Sequence, residues 1–161
     1  SKLISLIPIL ILFYLSLTSI DFGIKQYYFL SSNFVQILIF YWILRKPEIL
    51  PYGFIFIAGF INDVVIGLPI GISSMTYLIL AGCAAYIRNL TVRPSLLSDC
   101  MAFLPSILIT NSIYFIIIKL LFEIEINYLN LIFNTLFTIF LYPLIGVIFN
   151  ILFNFITRKH V

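Results

Sequence analysis

The chain has 161 residues, of which 63% are hydrophobic and only 9% charged; its mean hydropathy is +1.19 and its net charge +3. A soluble domain carries roughly 25% charged residues, so the polar surface here is too small to cover one, and an integral membrane protein is expected. The charge is also too small for the basic stripe that nucleic-acid binding needs, which excludes nucleic acid as an expected partner.

A helix crosses the hydrocarbon core with about 20 apolar residues. Charges and turn residues cut the chain into six such runs, near 3–20, 28–44, 50–66, 72–87, 100–122 and 128–156. The runs are continuous, whereas a barrel shows alternation over about 10-residue segments. The expected fold is therefore all-α: one transmembrane domain over 1–161, a bundle of six helices.

Lys2 before the first run is similar to the start of a signal peptide. The run is longer than a signal core and lacks a small-x-small cleavage site, so a retained helix is expected. Asp21, Gly23 and Lys25 end it. The second run closes on Arg45, Lys46, Pro47 and Glu48, and the fourth is followed by Arg88, Arg93, Pro94 and Asp99. Glu123, Glu125 and Asn127 separate the fifth from the sixth, which ends in Arg158, Lys159 and His160. With the N-terminus inside, seven basic residues lie on the inner side (Lys2, Arg45, Lys46, Arg88, Arg93, Arg158, Lys159) and two outside (Lys25, Lys119), as the positive-inside rule requires. Tyr41, Trp42, Tyr52 and Tyr86 would mark the inner interface, and Tyr27, Tyr28 and Tyr128 the outer one.

The third run carries the one acidic residue well inside an expected span, Asp63, in "FIAGFINDVVIGLPIG". Gly67, Pro69 and Gly71 make a tight reversal into the fourth run, because glycine reaches backbone angles other residues avoid and proline cannot continue a helix. Unpaired amides are expected there. Three roles stay open for Asp63: locking the turn by accepting from those amides, contacting a partner, or handling an ion or substrate. The first is favoured, because pumps usually show several intramembrane carboxylates. Ser73 or Ser74 is a candidate cap for the fourth helix. Gly59, four residues before Asp63, permits close approach of another helix. Ala81, Gly82, Cys83, Ala84 and Ala85 form a small-residue patch, open to internal packing or to docking of another membrane protein.

Amides and hydroxyls within the runs (Asn33, Gln36, Thr110, Asn111, Ser112, Asn134, Thr135, Thr138, Asn150, Asn154) suit interhelical hydrogen bonds or a polar cavity. Lys119 and Glu123, one turn apart, suit an ion pair. Pro143 frees the carbonyl of Ile139, for which Thr138 is a candidate donor, and a bend is expected there. Cys83 and Cys100 have no metal-ligand spacing and read as small apolar fillers. The lone His160 excludes a Ser-His-Asp set, and neither a metal cluster nor a phosphate loop with lysine is present. No cofactor and no enzymatic activity are expected.

The pattern F-x2-G-x3-D-x3-G-x-P-x-G, here Phe56, Gly59, Asp63, Gly67, Pro69 and Gly71, resembles the signature of the bacterial rod-shape-determining MreD family. "IFYWIL", "TYLILAGCAAYI" and the closing run, with its Tyr142-Pro143 step and basic tail, extend the resemblance. The resemblance implies a non-catalytic inner-membrane scaffold of the cell-wall elongation machinery, and the basic bias with six spans puts both termini on the cytoplasmic side. It would dock to an MreC-like membrane protein and through it to MreB, RodA and a penicillin-binding transpeptidase; a homo-oligomer is also open. It further implies a likeness in fold to the six-helix substrate-binding subunits of energy-coupling-factor transporters. A vitamin or metabolite importer subunit is the alternative. Those subunits generally carry A-x3-A in the first helix, where this chain has no alanine.

Overall fold

The computed structural model describes residues 6–18, 28–91, 95–122 and 128–158, and the side chains of all of these except 28–33, 122, 130 and 158. Lys2, Asp21, Gly23, Lys25, Tyr27, Arg93, Pro94, Glu123, Glu125, Asn127, Lys159 and His160 lie outside the described residues, as do the side chains of Tyr28, Asn33 and Arg158.

Among the described residues the chain is all-helical, without strands. The helices are α1 (Ile7–Leu17), α2 (Tyr28–Arg45), α3 (Tyr52–Ile66), α4 (Ile72–Leu90), α5 (Leu96–Phe122) and α6 (Tyr128–Arg158), with a 3-10 turn at Pro47–Ile49. Two segments are long and apolar enough to cross a membrane, Leu96–Leu121 and Leu131–Thr157. The third helix has 15 residues, which at 1.5 Å per residue is about 22 Å, less than a hydrocarbon core of about 30 Å. Pro51 starts it and Gly67 stops it, so it is shorter than the apolar run that contains it.

The hub of the bundle is α2. Every residue from Val35 to Leu44 is buried, so all sides of the helix are covered over that length, as in the core helix of a larger protein. It packs on α1, α4 and α6; α3 lies against α4 and α1, and α5 against α4 and α6. Aromatic contacts join α2 to its neighbours. Phe40 meets Phe103 of α5 edge-on at 5.0 Å and Tyr142 of α6 at 5.9 Å between ring centroids, while Tyr41 meets Phe149 at 5.5 Å and Trp42 meets Phe153 at 6.2 Å.

This packing corrects the interface reading of two aromatics. Tyr41 and Trp42 are core residues with no exposed surface, whereas Tyr52 and Tyr86 are exposed. The fifth helix also starts earlier than its apolar run, at Leu96 instead of Cys100. Asp99 thereby belongs to the first turn of α5 and not to a loop. Both prolines of the long helices, Pro105 in α5 and Pro143 in α6, lie inside helices that continue past them.

Candidate functional site

The densest polar geometry surrounds the α3–α4 reversal. Gly67 adopts a left-handed conformation with φ 74°, the usual end of a helix at this position. Its N–H and that of Leu68 both donate to the Asp63 carbonyl, the latter at 3.0 Å. Gly71 is also left-handed, with φ 107°, and serves as the N-cap of α4. Its N–H donates to Asp63 Oδ2 at 2.8 Å, and the Ser73 N–H donates to Oδ1 at 2.9 Å and Oδ2 at 3.2 Å.

The carboxylate of Asp63 has no exposed surface, and it forms no ion pair among the described residues. Its charge is met by two backbone amides and by the positive end of the α4 dipole. Amides bonded to a carboxylate make charge-assisted bonds, about twice as strong as neutral ones. Both oxygens are engaged by the backbone, so the carboxylate serves as an anchor for the turn.

The neighbouring polar groups close the same hairpin. Asn62 Nδ2 donates to Ser73 Oγ at 3.0 Å, and Ser74 Oγ donates to the Phe56 carbonyl at 3.0 Å. Neither serine caps α4: they sit in its first turn, past the N-cap, and their hydroxyls turn to α3 instead. Gly59 is where the helices touch. A Cβ built on it would lie 2.4 Å from Ser74 Cα and 2.5 Å from Ser74 N. The side chain of Phe56 is exposed and Pro69 is half-buried. The motif residues are thus brought together at one hairpin: Gly59, Asp63, Gly67 and Gly71 by backbone geometry, Phe56 through its carbonyl.

The small-residue patch of α4 is divided. Ala81 and Ala84 are in the core, Ala85 and Cys83 are half-buried, and Gly82 is exposed with nothing within 4 Å of an added Cβ. Tyr142 is buried and stacks on Phe103 at 4.4 Å. Thr138 does not serve the carbonyl freed by Pro143. Its hydroxyl donates to Asn134 O at 2.7 Å, because a threonine side chain on a helix reaches back toward the preceding turn. Most hydroxyls of the runs do likewise: Thr110 bonds Ser106 O and Ser112 bonds Leu108 O. One polar chain crosses between helices, from Gln36 (α2) to Asn111 (α5) at 3.4 Å and from Asn111 to Thr135 (α6) at 2.9 Å. Lys119 Nζ bonds Tyr128 Oη at 2.5 Å and lies over the Tyr128 and Phe115 rings; Glu123 is outside the described residues.

A second polar centre escaped the reading of the sequence. Arg45 Nη2 pairs with Asp99 Oδ2 at 2.5 Å, with 15% and 1% of the side chains exposed. The two come from the last turn of α2 and the first turn of α5. The only signal was an acid next to an apolar run, at the end of a loop whose other charges, Arg88 and Arg93, are basic. Tyr114, within electrostatic reach of Asp63, was also missed. No group of three or more His, Cys, Asp or Glu side chains able to hold a metal occurs among the described residues. Compared with family models, curated proteins and solved structures, the chain matches none.

Proposed function

We propose that this chain is an MreD-like, non-enzymatic membrane scaffold of the bacterial cell-wall elongation machinery. The single observation that carries the reading is the coincidence of motif and hairpin. The pattern behind the resemblance, Gly59, Asp63, Gly67 and Gly71, is also the set that builds the α3–α4 reversal. A motif whose residues serve the geometry of a turn suits a protein whose work is to present a fixed surface to partners. The engaged carboxylate of Asp63 supports the same reading over an ion or substrate role, since its oxygens are already bonded to amides.

In this reading all six helices lie in the inner membrane, with both termini on the cytoplasmic side. The partners are an MreC-like protein and, through it, MreB, RodA and a penicillin-binding transpeptidase. The exposed apolar surface of α5 and α6, including Leu120, Phe133, Phe140 and Leu144, supports a lipid setting, because soluble monomers rarely expose contiguous apolar patches beyond a few hundred Å².

Depletion of the protein in its host is expected to turn rods into rounded cells, and affinity purification from native membranes to recover an MreC-like protein. Rod shape kept after a clean deletion overturns the reading. A vitamin or metabolite retained through purification would replace it with the importer subunit.

A further inference from the structure

The Arg45–Asp99 pair stands among polar groups whose bonding is incomplete. Tyr41 Oη, Trp42 Nε1, Arg45 Nε and Tyr142 Oη are buried without a hydrogen-bond partner among the described residues. Tyr41, Trp42 and Tyr142 have no exposed surface at all. Tyr41, Trp42 and Arg45 share one turn of α2, and the Arg45 guanidinium lies 5.8 Å from the centre of the Tyr41 ring. Tyr142 faces them from α6, and both phenols lie within electrostatic reach of Arg45 and Asp99.

Each such group left bare costs about 1–3 kcal/mol, and native proteins rarely tolerate several in one place. The chemistry of the cluster selects what completes it. An added anion would sit beside Asp99, and an added cation beside Arg45; either leaves a surplus charge in a buried setting, which is costly. An apolar group meets none of the four atoms. A small neutral molecule that both donates and accepts meets the phenols and the Arg45 Nε–H together. Buried water does this in globular proteins, with about three hydrogen bonds per molecule.

We propose that Tyr41, Arg45, Asp99 and Tyr142 form a binding site for ordered water at the junction of α2, α5 and α6. Water bridges the two phenols to the ion pair and so joins α6 to the Arg45–Asp99 tie between α2 and α5. Arg45, the one partly open member of the site, is its entrance.

Radical footprinting of the purified full chain in oxygen-18 water tests this, since pulsed X-rays generate hydroxyl radicals from bound water in place. Relative to their intrinsic reactivity, Tyr41 and Tyr142 are expected to incorporate label several-fold faster than Leu12 and Ile55, which are as deeply buried but lie on α1 and α3. Equal rates at all four positions overturn the proposal. A second measurement has opposite signs for the two cases. With bridging water, Tyr41→Phe and Tyr142→Phe each lower Tm by about 2–4 °C. Without it, each removes a bare buried hydroxyl, and an unchanged or raised Tm in both variants overturns the site.

Discussion

Asp63 and Gly71 meet through a 2.8 Å hydrogen bond from the Gly71 N–H to the Asp63 carboxylate, while the Asp63 carbonyl takes the amides that end α3. One residue therefore closes two helices: its main chain finishes the third and its side chain starts the fourth. Helix ends leave four unpaired amides or carbonyls each, so this economy matters most where water cannot serve as substitute partner.

Asp63→Asn keeps one acceptor oxygen but loses the charge and turns the other position into a donor facing amides. It is expected to destabilise the chain by about 1–2 kcal/mol. Asp63→Ala strips both amides and should cost about 2–5 kcal/mol, with lower abundance in membranes. Thermal unfolding of purified variants gives the order, wild type above Asn above Ala. Equal stability of all three would remove Asp63 from the role of turn anchor.

Two glycines separate close packing from mere smallness. Gly59→Ala puts a methyl group onto the Ser74 backbone, which cannot rotate away, and about 1–3 kcal/mol of destabilisation is expected from overpacking. Gly82→Ala has open space and replaces the poorest ordinary helix former by the best. It should be neutral or stabilising by up to about 1 kcal/mol. Comparing the two melting temperatures checks both, and a loss at Gly82 equal to that at Gly59 contradicts this packing.

The left-handed positions give a third series. Gly67→Ala and Gly71→Ala force a Cβ into backbone angles of φ 74° and 107°, at a cost of about 1–2 kcal/mol each. No neighbour lies within 4 Å of either added Cβ, so the loss arises from the backbone alone. Gly67→Asn should recover part of it, because asparagine tolerates this region better than other side chains; identical melting of the Ala and Asn variants would argue against the backbone cause.

The Arg45–Asp99 pair predicts a double-variant reversal. Arg45→Met leaves a buried carboxylate unpaired and should cost about 3–5 kcal/mol. Adding Asp99→Leu removes the stranded charge and should return most of that loss. A double variant no better than Arg45→Met alone would show that the pair is not coupled.

The reversal at Asp63 was legible because everything that builds it lies within residues 56–74, and its turn chemistry is local: glycines for left-handed angles, a proline to stop a helix. Arg45 and Asp99 are 54 positions apart, and no local rule joins them. Asp99 also sits among Ser, Pro and Arg residues that read as loop, so the true start of α5 was hidden. The place of α2 was equally out of reach. A helix apolar on every side suits a lipid setting and a protein core alike, and "IFYWIL" suits an interfacial belt as well as the aromatic packing it makes with Phe103, Tyr142, Phe149 and Phe153. Ser73 and Ser74 show the reverse error: the right residue type stood near a helix start, but the capping position was already held by Gly71.

The burial of α2 has a consequence for synthesis. Its aromatic residues Phe40, Tyr41 and Trp42 are covered in part by Tyr142, Phe149 and Phe153, which the ribosome makes about a hundred residues later. The α3–α4 hairpin can close while the chain that follows is still emerging, but α2 must wait for α6. A nascent chain halted before residue 128 already owns its tightest turn and still lacks one wall of its hub.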